Sequence, residues 1–100
     1  MKLREIAHSR TGDKGDALNI SVIAYDERDF ARLCDQVTVE RVREIFADLA
    51  ASDVVRYELP SIGALNFVIY GALDGGVTRS LRLDPHGKSL GASLLELEID

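Results

Sequence analysis

An α+β fold, one antiparallel sheet with helices on a single face, is what this chain predicts, and three observations predict it. Segments with a two-residue apolar period alternate with segments whose apolar residues recur every three or four positions. Those segments run strand, helices, strand, tight turn, strand, helix, strand, with one further strand ahead of them. The chain has 100 residues, room for one core and no second, so residues 1–100 read as a single domain.

Taken in order, "KLREIAH" is the weakest strand. Leu3 and Ala7 alternate with charges while Ile6 points the other way, a pattern suited to a sheet edge. "ALNISVIAY" is better: Leu18, Ile20, Val22 and Ala24 form one face and Asn19, Ser21 and Ile23 the other. Asp26 caps a short helix over "ERDFARLC", in which Phe30, Leu33 and Cys34 share a face. Thr38 caps the stronger helix "TVERVREIFADLA", with Val37 and Val42 at the two positions of a hydrophobic staple and Val39, Ile45, Phe46 and Leu49 on the same stripe. "VVRYEL" alternates until Pro60, which cannot donate to a ladder, and "PSIG" is a short turn.

"ALNFVIYGAL" is the most apolar strand. Leu65, Phe67 and Ile69 lie on one face, and Val68 and Tyr70, joined by Asn66, on the other, so both faces need cover. "TRSLRLD" fits helical spacing through Val77 and Leu81 and strand spacing through Leu81 and Leu83, and both readings stay open. Asp84 and Pro85 start a last helix whose Leu90, Leu94 and Leu95 share a face, although Gly87 and Gly91 each cost about 1 kcal/mol relative to alanine in a helix interior. "ELEI" alternates once more and suits an edge, its glutamates discouraging stray pairing. The order is βαββαβ with an extra N-terminal strand, a ferredoxin-like sandwich. Helices cover one face of such a sheet, which leaves Val68 and Tyr70 to be covered by the extra segments, a second copy or another protein.

Composition narrows the function classes. Twelve basic residues are scattered among seventeen acidic ones, for a net charge of -5, with no basic stripe for a nucleic-acid backbone. No apolar run has the length of a membrane span, and the start "MKLREIAHSR" lacks the apolar region of a signal peptide, so a cytoplasmic location is expected. The single cysteine, Cys34, cannot form an internal disulfide and reads as a small core residue.

The candidate chemistry is concentrated in "HSRTGDKGDALNI". Gly12 and Gly15 allow positive φ, so successive backbone N–H groups can converge, while Arg10 and Lys14 add charge; such a nest binds phosphate or carboxylate. Thr-Gly-Asp and Asp-Lys-Gly are equally ordinary turn chemistry, and spacing alone favours the turn. Asp13, Asp16 and Asn19 have metal-binding oxygens, but Lys14 sits between the acids and the EF-hand spacing is absent, so no metal is expected. His8 and Ser9 are adjacent on a strand and so point to opposite faces, which makes them a poor base and nucleophile pair. "GALDGGVTRS" matches no phosphate-binding glycine motif, "DPHGKS" reads as a solvated turn, and no cofactor is called for.

Together "AHSRTGDKGDALNISVIA", "VTVERVREIF" and "VRYELPSIGALNFVIYGALDGGVTRSLRLDPHGKSLG" resemble the C-terminal ferredoxin-fold domain of the acyclic terpene utilisation (AtuA-like) family, from about Leu3 to Leu95. The resemblance implies a small domain that usually follows a large N-terminal one, in proteins associated with bacterial breakdown of acyclic terpenoids such as citronellol and geraniol through acyl-CoA intermediates. It defines no reaction. This chain departs from that arrangement by holding only the small domain and beginning with its own methionine, which implies a separate subunit or an excised domain. The family loop maps onto Ser9, Arg10, Gly12, Asp13, Lys14 and Gly15, with Thr11 where serine is commoner, a change that keeps the hydroxyl.

So charged a loop is costly to hold against an apolar sheet unless its groups are paired, which weights a ligand or a partner domain equally with pairing inside the loop. Two expectations follow. The first is an accessory subunit that assembles with a large AtuA-like domain or with itself through the open sheet face. The second is binding or turnover of an anionic acyl-CoA or carboxylate at Ser9, Arg10, Thr11, Gly12, Asp13, Lys14 and Gly15, with Asn19 nearby. No residue pair has the spacing of a nucleophile and its base, so catalysis is left open.

Overall fold

The computed structural model describes residues 1–14, 17–45, 53–70 and 88–100. Strands β1 (Ala7–Lys14), β2 (Ala17–Ala24), β3 (Asp53–Leu59) and β4 (Ala64–Tyr70) form one sheet in the order β1-β2-β4-β3, every neighbouring pair antiparallel. Helices α1 (Phe30–Gln36), α2 (Val39–Ile45) and α3 (Lys88–Leu95) complete the α+β sandwich.

The core follows from the two-residue period of the inner strands. Leu18 lies opposite Ile69, Ile20 opposite Phe67 and Val22 opposite Leu65, and all six are buried. Leu33 of α1, Val42 of α2, Leu94 of α3 and the linker residue Val37 close over them with no exposed surface. Burial of each large apolar side chain is worth roughly 1.5 to 3 kcal/mol, so this layer supplies the main driving force.

Local chemistry sets the helix starts. The Asp26 carboxylate accepts from the Arg28 backbone N–H at 2.9 Å and opens a 3-10 turn, Glu27–Asp29, that leads into α1. Thr38 accepts from the Arg41 N–H at 3.2 Å ahead of α2, and both staple valines are fully buried. Phe46 and Leu49 lie outside the described residues. Between β3 and β4, Pro60 starts another 3-10 turn and Gly63 ends it at φ 64°, a conformation that a side chain would strain.

The outer edge differs from the expected pattern. Residues Leu3–Glu5 form a 3-10 turn, and the N-terminal strand begins only at Ala7 and runs to Lys14, consuming most of the segment that read as a loop. This strand lies beside β2, the place the last strand takes in a βαββαβ sheet. "ELEI" therefore adds no full strand: Glu98 forms one isolated bridge with Lys2. The two chain ends are instead laced together by Leu3 N–H to Leu97 O (2.9 Å), Ile99 N–H to Met1 O (2.8 Å) and the Lys2–Glu96 ion pair (2.7 Å). Residues 71–87, with the ambiguous "TRSLRLD" and the expected Asp84–Pro85 helix start, lie outside the described residues.

Candidate functional site

Because β1 is an alternating strand, it sorts the candidate residues onto opposite faces of the sheet. Its register places Ser9 opposite Val22, Arg10 opposite Ser21, Thr11 opposite Ile20, Gly12 opposite Asn19, Asp13 opposite Leu18 and Lys14 opposite Ala17. Ser9 and Thr11 are thus on the helix-covered face. A Cβ added at Gly91 of α3 would stand 2.9 Å from Ser9 Oγ and 3.5 Å from Thr11 Cγ2, so α3 lies almost directly on these two small residues. Asp13 shares their side of the register.

Arg10, Gly12 and Asn19 occupy the other, open face. Gly12 does not supply a left-handed turn: among the described residues Gly63 is the only glycine with positive φ. The backbone from Ser9 to Lys14 is extended along β2, so its successive amides point alternately toward β2 and away from the sheet and do not converge as a nest. Gly15 and Asp16 lie outside the described residues. The candidates among the described residues are therefore divided between the two faces and not brought together as one pocket.

The open face reads in rungs across the four strands. Arg10, Ser21, Asn66 and Tyr57 form one; Gly12, Asn19, Val68 and Val55 form the next; His8, Ile23, Ala64 and Leu59 form the third. Ser21 Oγ hydrogen-bonds Asn66 Oδ1 at 3.2 Å in the middle of the face. His8 stacks on Tyr25 with ring centroids 5.2 Å apart. On the β3–β4 half, Tyr57, Leu59 and Tyr70 are exposed by 48%, 39% and 40% around the half-buried Val55 and Val68. Tyr57 raises the Tyr70 phenol above its usual pKa by its proximity, with burial, a hydrogen bond to Tyr57 and nearby Asp53 acting in the same direction.

Arg10 stands apart electrostatically. Arg4, Arg28, Arg32, Arg43 and Arg56 each have an acidic partner, and Arg41 donates to the Gln36 and Glu98 carbonyls. Arg10 is exposed, and among the described residues it alone of the arginines makes no hydrogen bond or ion pair. Arg56 serves the fold. It donates to Cys34 O at 2.7 Å and Val37 O at 3.0 Å, tying the end of α1 to β3. Cys34 packs against the core, and burial pushes its thiol pKa up, away from the range of a nucleophile. Among the described residues, no three of His, Cys, Asp and Glu are grouped to hold a metal ion, and no helix is long and apolar enough to cross a membrane.

A family model for the AtuA ferredoxin-like domain matches residues 1–100, the whole length of the sequence. The chain is an AtuA ferredoxin-like domain. No curated protein and no solved structure matches it. In this AtuA ferredoxin-like domain, the Ser9–Lys14 segment is divided between the two faces, with Ser9 and Thr11 under α3 and Arg10 on the open face. That open face was legible in the sequence through Val68 and Tyr70, whereas the contribution of Tyr57 and Leu59 required the β3 register.

Proposed function

We propose that this domain is an accessory module that docks onto a large AtuA-like domain through the open face of its sheet. One observation carries the reading. Tyr57, Leu59 and Tyr70 stand exposed around Val55 and Val68, on the side of the sheet opposite the helices. Tyrosine ringed by small apolar residues is the composition of a protein interface, where large rigid side chains bury area at low entropic cost. The AtuA ferredoxin-like assignment supports a large AtuA-like partner, since this domain type usually accompanies one.

Size-exclusion chromatography with light scattering tests the reading on the chain alone and mixed with the large domain from the same genome. A stable complex is expected, and Val68→Asp should abolish it. A chain that stays monomeric and ignores the large domain overturns it.

A second reading rests on the unpaired Arg10: the same face takes a small anion, with CoA or a short carboxylate suggested by the acyl-CoA chemistry that the family resemblance implies. Calorimetry with CoA and short carboxylates tests it, and no heat at millimolar ligand removes it.

A further inference from the structure

We infer that the surface docking on the open face presents a carboxylate to Arg10 beside an apolar ridge that fills the β3–β4 half. The inference rests on the docking reading above and adds the chemistry of the partner. The face has two unlike halves. Val55, Tyr57, Leu59, Val68 and Tyr70 lie on β3 and β4, with Asp53, paired to Arg43, at the end beside Tyr70, while His8, Arg10, Asn19 and Ser21 lie on β1 and β2. The chain carries five more acidic than basic residues, yet this half of the face is lined by an unpaired arginine, with no acidic residue in the three rungs that cross it. It is a local reversal of the molecule's own charge.

That division disfavours a second copy as the occupant. A two-fold axis along the strands would set the polar β1–β2 half of one copy over the apolar β3–β4 half of the other. An axis across the strands would set β1 against β1, bringing the His8 and Arg10 side chains toward their own copies. A foreign surface with one acidic group meets both halves without conflict. A small free anion is also the weaker fit, because a single exposed guanidinium in water binds a carboxylate only feebly. The same contact becomes selective when an apolar contact beside it holds the two groups together and excludes water. Gly12, two residues along the same face, has open space above it, so nothing in β1 obstructs the approach.

The test measures binding of the large AtuA-like domain to wild type, Arg10→Glu, Arg10→Lys and Tyr57→Asp, each checked for an unchanged circular dichroism melt. Wild type should lose affinity as salt rises. Arg10→Glu should weaken binding at least about tenfold and abolish that salt dependence, with Arg10→Lys recovering much of the loss. Equal binding by Arg10→Glu, with Tyr57→Asp still disruptive, overturns this inference and leaves the docking reading standing. Absence of binding by wild type overturns both. A homodimer whose affinity ignores Arg10, or CoA binding that depends on it, overturns the assignment of an acidic protein surface.

Discussion

The two faces of the sheet are made by the same strands in alternation, yet one is a closed core and the other an open surface. On the helix side, Leu65, Phe67 and Ile69 of β4 are fully buried, while on the open side Val68 is half-buried and Tyr70 exposed. A strand with apolar residues on both faces gains most of its folding energy from the face that is closed over. What it places on the other is free to serve recognition.

The largest effect separating the faces should come from neighbouring positions on β4. Phe67→Ala should cost about 3 to 5 kcal/mol in urea denaturation, and Val68→Ala no more than about 1 kcal/mol. Similar losses from the two would break the contrast.

Two glycines test β1 in the same way. Gly91→Leu drives a side chain against Ser9 and Thr11 and should cost about 1 to 3 kcal/mol by forcing α3 off the sheet. Gly12→Ala meets open space on the other face and should be neutral or stabilising by up to about 1 kcal/mol. Urea titration of both variants reads the difference. Arg56→Ala should follow at about 1 to 2 kcal/mol, since it strips donors from the Cys34 and Val37 carbonyls.

The smallest effect is electrostatic and belongs to neither face. Arg28 hydrogen-bonds the Asp26 carboxylate and lowers its pKa from 3.8 to about 2. A carboxylate whose folded pKa is depressed stabilises the fold above its unfolded value and loses that contribution as pH falls through the folded one. Asp26→Asn should therefore flatten the loss of melting temperature between about pH 4 and pH 2, the window in which wild-type Asp26 takes up its proton. Because the group is exposed, the shift should be slight.

Much of this was legible in the residue pattern. The β4 alternation, the Thr38 and Asp26 caps, the Pro60–Gly63 turn and the core set Leu18, Ile20 and Val22 all stand as their local chemistry implied. The candidate site was legible in content and not in form. Gly12, Asp13 and Lys14 are poor strand formers, and "GDKGD" carries every signal of a turn. They pair as a strand because β2, two residues further on, offers a full set of backbone partners, and that gain outweighs their weak preference. Ser9 and Thr11 gave no sign of being a helix seat, since Gly91 comes from the far end of the chain.

The α+β class, the apolar stripes and the greasy strand at the centre of the sheet are all written in the residue order, because apolar period and capping act over a few residues. Long-range packing settled the rest: that β1 takes the edge beside β2, that α3 rests on Ser9 and Thr11, and that Arg10 shares a rung with Tyr57. Those outcomes depend on which distant backbone completes each ladder and which side chains leave room for close approach, and no local stretch encodes either.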